Sequence, residues 1–347
     1  MQLIKITGII CLFTIGIFFE NSFGQNISGV EEKEVRFESN GATLAGTLYM
    51  PKNVQNGPAL VVVQQAGTET RENPLFVQIA ETFTAIGYSV LVYDRRGHGL
   101  SEGSSERPRY SEMAEDAVAG KRAIAEFSAV HPDKIGFWGL SQSGWLAMEA
   151  AAMSNAGFVI AVSSPLTTPG EQMKVLVRNY VLKEGYGEEA ANKALETRQL
   201  VMHDYFHDKI SHENATKAIK EIEDEPWFKW AFLPASDKLP KNIQETSWIH
   251  EMDYDPIKAF EEVEVPLLYI LGEQDIDIPV ERTLEIIDGI ESNKNREIVV
   301  VPEANHLMKG EQDDDEQLIS TSARYFMVMG EWLGRQGLHN QVKNDRE

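Results

Sequence analysis

The chain predicts an α/β protein: a mostly parallel central sheet, helices on both of its faces, and an inserted helical segment. Short runs rich in β-branched and aromatic residues, at 59–64, 88–93, 134–140, 158–162, 265–271 and 296–301, recur along the sequence. They are apolar without polar alternation, which suits strands buried on both faces. Between most of them lie segments with helical spacing, the alternation that builds parallel sheets. The alternation breaks only from about 166 to 264, a charged, helix-patterned stretch. An insertion of that length without structure is improbable inside a compact domain, so it reads as a helical cap over the carboxyl edge of the sheet.

Taken in order, residues 1–5 supply a short basic start and 6–19 an apolar run, with Ser22-Phe23-Gly24 after it. This is the layout of a secretory signal peptide over 1–24, and the run is short for a membrane span. Cys11, the one cysteine, lies inside it. A mature chain without thiols suits a bacterial periplasm, so an exported protein, periplasmic or secreted, is expected. Residues 25–34 read as an acidic linker. Strands at 35–38 and 43–50 flank Ser39-Asn40-Gly41, a hairpin signal. Helical patterns follow at 75–86, 110–127 and 145–153. The core is thus expected over 35–164 and 265–334, the cap over 165–264 and a polar tail over 335–347. Helices at 188–205 and 214–222 are the clearest in the cap. Trp227, Phe228, Trp230, Phe232 and Trp248 either line a pocket there or hold the cap helices together. Helices at 279–290 and 317–333 complete the core.

The net charge of −22 opposes nucleic acid and anionic membrane as partners, since phosphates would be repelled. The chemistry gathers instead at strand ends. Gly139-Leu140-Ser141-Gln142-Ser143-Gly144 lies between a predicted strand and an alanine-rich helix. That context makes Ser141 the nucleophile of a strand–turn–helix elbow, which needs small neighbours two residues away on either side. Asp275 follows the strand at 265–271, and His306 follows the strand at 296–301. A serine needs a base within hydrogen-bond reach, and a base needs a group to fix its tautomer. His306 and Asp275 fill these roles, with Glu273 and Asp277 as alternatives to Asp275. Strand carboxyl ends in open sheets gather ligands, so three such ends would bring the side chains together.

These residues, with Asp94-Arg95-Arg96-Gly97-His98-Gly99 after the fourth strand, make the chain resemble the α/β-hydrolase superfamily over 35–334. Within it the chain is most similar to the secreted esterase and serine-aminopeptidase-like group with a helical cap. The resemblance implies nucleophile, acid and base at Ser141, Asp275 and His306, and makes the 94–99 turn, His98 included, structural. It also implies an oxyanion hole from the backbone N–H groups of Gln142 and, by position, Ala66. One departure stands out: Gln64-Gln65-Ala66-Gly67-Thr68 occupies the place of a His-Gly-x-Gly or Gly-Ser-Gly loop.

No cofactor and no metal are expected. His203 and His207, four apart in one helical stretch with His212, match a zinc spacing, but no third ligand accompanies them. Arg71 pairs with Glu72 or binds a carboxylate. The expected activity is that of a serine hydrolase cleaving a small-molecule carboxylic ester through an acyl-enzyme. A peptidase acting on short peptides and a catalytically silent binding protein are the alternatives. The residues specify neither the acyl chain nor the number of subunits.

Overall fold

The structure, a computed structural model, describes residues 29–65, 70–104, 109–242, 251–291, 295–310 and 323–338. The expected signal peptide and residues 339–347 of the tail lie outside them, as do Ala66 and Trp248. The described residues fall into two compact units, one of 165–256 with 276–285 and one of the remainder.

The larger unit is built on an eight-stranded sheet in the order β1-β2-β4-β3-β5-β6-β7-β8. Its strands are β1 Val30–Ser39, β2 Ala42–Pro51, β3 Gly57–Val62, β4 Ser89–Tyr93, β5 Val130–Leu140, β6 Val159–Val162, β7 Leu267–Gly272 and β8 Arg296–Val301. β1 and β2 are antiparallel across a two-residue turn in which Asn40 and Gly41 have φ of +46° and +75°. Both central residues being left-handed matches the turn whose twist suits a hairpin. β2 meets β4 antiparallel, and every later pairing is parallel. The parallel strands β3, β4, β6 and β7 are buried along their whole length, as their unbroken apolar runs require.

Side chains alternate between the two faces. Val90, Val92, Trp138 and Ile160 join a cluster with Phe76 and Phe83 of α1 (Pro74–Ala85) and with Tyr325, Met329 and Trp332 of the terminal helix, Ala323–Arg335. Phe158 sets its ring edgewise against Trp332 at 6.2 Å, and the Trp138 indole donates to Tyr325 Oη at 3.0 Å. Leu91 points the other way, against Gly120 of α2 (Tyr110–Ile124). A Cβ on Gly120 would lie 2.9 Å from Leu91 Cδ2, so glycine sets how closely this helix approaches.

The smaller unit is helical. α4 (Pro169–Lys183) begins with a capping box in which Thr168 and Glu171 satisfy each other's backbone N–H groups. α5 (Gly187–Gln199) runs into a π-helical segment, Leu200–Tyr205, and α6 (His212–Lys220) follows a Ser211 cap. The helix expected over 188–205 is therefore broken in type. The three histidines do not share one helix either, because Asp208 takes a φ of +57° between His207 and α6.

Two boundaries differ from the sequence expectation of a cap over 165–264. Helix α7, Pro256–Glu262, groups from residue 257 onward with the sheet unit. Phe260 packs edge-on to Tyr269 of β7 at 5.7 Å, and the Arg296 guanidinium covers its ring. Residues 276–285 group with the helices: Asn179 Nδ2 donates to the Ile276 carbonyl at 2.8 Å and Tyr180 Oη to Asp277 at 2.9 Å. α8, Val280–Asp288, begins within this segment.

Candidate active site

Ser141 sits between β5 and α3 (Gln142–Ala152) with φ +55° and ψ −122°, a conformation that disfavours a side chain. The fold over-determines it. A Cβ on Gly139 would overlap the Ser143 carbonyl, so only glycine fits there. Ser143, where a second glycine is common, closes the turn: its Oγ accepts from Leu140 N and approaches Leu140 O, both at 2.8 Å. Ser141 N donates to Val162 O of β6 at 2.8 Å. Ser141 caps α3 without a side-chain hydrogen bond to the helix amides, so its hydroxyl is not consumed as a cap. The helix start that follows is an anion-favouring end.

The order β5-β6-β7-β8, all parallel, puts the loops carrying Ser141, Asp275 and His306 at one sheet edge. The β7 and β8 loops are zipped together. Glu273 N donates to Val301 O at 3.0 Å and Gln274 N to Ala304 O at 2.9 Å. Gly272 allows the approach, because a Cβ there would strike the Ala304 carbonyl. Asn305 shapes the turn around His306, its Oδ1 accepting from the N–H groups of Leu307 at 2.9 Å and Lys309 at 3.1 Å. His306 Nδ1 then meets Asp275 Oδ2 at 2.8 Å. The Asp275 carboxylate is fully buried and the imidazole is 17% exposed. A carboxylate on Nδ1 fixes the ring and leaves Nε2 facing away from it. Glu273 accepts from Glu303 N, and Asp277 accepts from Tyr180 Oη.

Gln142 begins α3, and its side-chain amide reaches Tyr110 Oη at 3.0 Å. Ala66 lies outside the described residues, but the two glutamines before it do not. Both are buried, and Gln64 Nε2 donates to Tyr93 O at 2.5 Å, tying the ends of β3 and β4 together.

Around these residues stand supports. Asp94 accepts from Arg71 N and Leu100 N, both at 2.9 Å, and a Cβ on Gly99 would sit 2.5 Å from its carboxylate. His98 Nδ1 lies 3.1 Å from Arg96 O, a contact internal to the turn. Arg71 lies 3.7 Å from Asp94 and 4.0 Å from Glu34, so its acidic neighbours are these and not Glu72. In the helical unit, His207 spends both ring nitrogens, Nδ1 on His203 O and Nε2 on Asp253, each at 2.7 Å. His203 Nδ1 meets Asp204 at 2.8 Å. The aromatic residues there hold helices together: Trp230 stacks on Tyr180 at 5.1 Å, and Trp227 is buried in the unit's core. Among the described residues, none of Trp227, Phe228, Trp230 and Phe232 lines a cleft of about 310 Å³ in that unit, whose walls include Met202, Met252, Lys174 and Arg198.

Sequence reading passed over Ser164, just after β6. Its Oγ donates to the Ser141 carbonyl at 2.7 Å.

Residues 40–308 match the family model described as X-Pro dipeptidyl-peptidase (S15 family), a span that holds the elbow, Asp275 and His306. The chain belongs to the S15 family. This S15 chain is 33% identical over 171 residues to the thiohydrolase aneE of Aspergillus aculeatus, covering 47% of itself and 52% of that protein. It thus spans about half of that relative. It is 26% identical over 311 residues to the acyltransferase drtE of Aspergillus calidoustus, covering 86% of itself and 96% of the relative. Among solved structures it is similar to a Pyrococcus furiosus esterase, with a TM-score of 0.56 and 17% identity over 89% of this chain and 92% of that one. That likeness carries the fold, an α/β-hydrolase fold. The matched family is by its description one of hydrolases. No helix among its described residues is long and apolar enough to cross a membrane.

Proposed function

We propose that the protein is a serine hydrolase that cleaves a carboxylic ester through an acyl-enzyme. The observation that carries this is the Asp275–His306 hydrogen bond at the sheet edge where the left-handed Ser141 elbow also ends. Ser141 Oγ attacks the ester carbonyl as His306 takes its proton. The oxyanion rests on the Gln142 N–H and, in this reading, the Ala66 N–H. His306 returns the proton to the leaving alkoxide, and the acyl group stays on Ser141. Water, deprotonated by His306, then releases the acid and restores the serine. Asp275 holds the imidazole in the tautomer that can accept the proton.

A second reading, cleavage of short peptides, is supported by the family's peptidase description. It uses the same acyl-enzyme with an amine as leaving group. The layout of residues 1–24 supports export to a periplasm or the medium.

A fluorophosphonate probe tests the mechanism: wild type labels at Ser141 and Ser141→Ala does not. An unlabelled wild type removes the serine mechanism and favours a silent binding protein. Short-chain p-nitrophenyl esters against aminoacyl-anilides separate ester from peptide cleavage. Protein recovered from a native host and beginning near Gln25 supports export, and an intact Met1 speaks against it.

A further inference from the structure

The end of β6 grips the elbow beside the start of its helix. Ser163 takes a φ of +46° and donates its N–H to Ile270 O of β7 at 2.8 Å. That left-handed step carries Ser164 out of register, and its Oγ donates to the carbonyl of Ser141 at 2.7 Å. The same carbonyl accepts from Gly144 N at 3.0 Å, so two donors hold one oxygen. Ser164 is itself held: the phenol of Tyr269 donates to its carbonyl. Tyr269 is fully buried, and burial pushes its phenol far above the ordinary range, so it stays a donor at every working pH. Gly144 makes room for the hydroxyl, since a Cβ there would lie 2.5 Å from Ser164 Oγ.

A trans peptide is planar, with its C=O and N–H on opposite sides. Fixing the Ser141 oxygen therefore fixes the direction of the Gln142 N–H, the donor at the helix start. Resting on the serine-hydrolase reading above, we propose that Ser164 is a positioning residue for oxyanion stabilisation, aiming the Gln142 N–H by anchoring the far end of the same peptide. Tyr269 supports it from behind. Neither side chain touches substrate. The energetic case is that an oxyanion donor works only when pre-aimed, and removal of one donor elsewhere costs roughly 10²–10³ in kcat. Loosening the peptide leaves the donor present but free to rock. Ser164→Ala is thus expected to lower kcat by on the order of tenfold with KM nearly unchanged.

The experiment compares wild type, Ser164→Ala, Ser164→Cys and Tyr269→Phe on p-nitrophenyl acetate from pH 5 to 9, together with binding of a trifluoromethyl ketone. Fluorophosphonate labelling of wild type is run first: its failure strikes the serine mechanism, not this inference in particular. With labelling present, kcat falls for Ser164→Ala and less for Tyr269→Phe, while the acid limb of the pH profile stays in place. Trifluoromethyl ketone affinity falls in proportion to kcat. Partial recovery in Ser164→Cys, whose thiol keeps a weak donor, supports the assignment. Unchanged kcat and ketone affinity in Ser164→Ala overturn it. So does a shifted acid limb, which would mean a disturbed imidazole. Should Ser164→Ala not fold, wild-type values in Tyr269→Phe and Ser164→Cys overturn it as well.

Discussion

Arg96 and Asp116 form a two-point ion pair: Arg96 Nε donates to Oδ2 at 2.8 Å and Nη2 to Oδ1 at 2.5 Å, with both side chains buried. Glu112 adds a third bond to Nη1 at 2.6 Å. These contacts pin the turn after β4 to α2. A buried pair adds little over an apolar one, but stripping one partner strands a charge. Arg96→Ala is expected to cost about 3–5 kcal/mol in urea unfolding, and the double variant Arg96→Met with Asp116→Leu to recover most of it. A loss under about 1 kcal/mol for Arg96→Ala would place the pair effectively in solvent.

Asp275→Asn keeps size and shape but reverses what Nδ1 faces. The amide can donate where a carboxylate only accepts, which favours the wrong imidazole tautomer. The expected result is a fall in kcat on the order of 10⁴ with the melting temperature little changed. Retention of more than a tenth of wild-type kcat would show that the Asp275–His306 bond does not orient the base.

Ser141 holds a left-handed backbone that costs roughly 1–3 kcal/mol for a residue with a side chain. Glycine at that position removes the strain but adds about 0.5–1 kcal/mol of unfolded-chain entropy. Ser141→Gly is therefore expected to be inactive yet more stable than wild type by about 1 kcal/mol, read from denaturant midpoints. A less stable Ser141→Gly would mean that the elbow is not strained.

His207 is raised above its ordinary value, first by its hydrogen bond with the His203 carbonyl and then by that with Asp253. Protonation is thus favoured in the folded chain. The resulting stability is complete below the unfolded value of about 6.5 and fades as pH rises through the higher folded value. The stability gap between wild type and His207→Gln should narrow on going from pH 5.5 to 8.5. Asp253→Asn should flatten that trend, and a gap that widens with pH contradicts the raised value.

The strands β3 to β8 were legible in the sequence because each is an apolar run too short for a helix and closed by a turn signal. β1, Val30–Ser39, instead begins inside the stretch expected as an acidic linker over 25–34, its first half being charged and exposed. β3, expected at 59–64, forms at Gly57–Val62, and the hairpin turn falls on Asn40 and Gly41. The elbow was legible because steric demand writes it locally: only glycine fits at 139. The helical unit was harder to read. α4 mixes charged and apolar residues from its first turn, so periodicity did not reveal it, though the Thr168–Glu171 capping box was present in the letters. The His306–Asp275 hydrogen bond joins two loops 31 residues apart in sequence, which no spacing encodes. Ser164 escaped for the same reason: its partner lies 23 residues earlier.

β1 is one of the two outer strands of the sheet, and among the described residues no strand neighbours its backbone on one side. Glu31, Glu32, Lys33, Glu34, Arg36 and Glu38 are all exposed along it. Another extended chain trying to add itself there would have to bring its own side chains against this charged fringe and strip water from it. The hairpin thus guards against sheet-to-sheet polymerisation in crowded surroundings, and neutral apolar residues at 32 and 34 would remove that guard without altering the turn or the elbow.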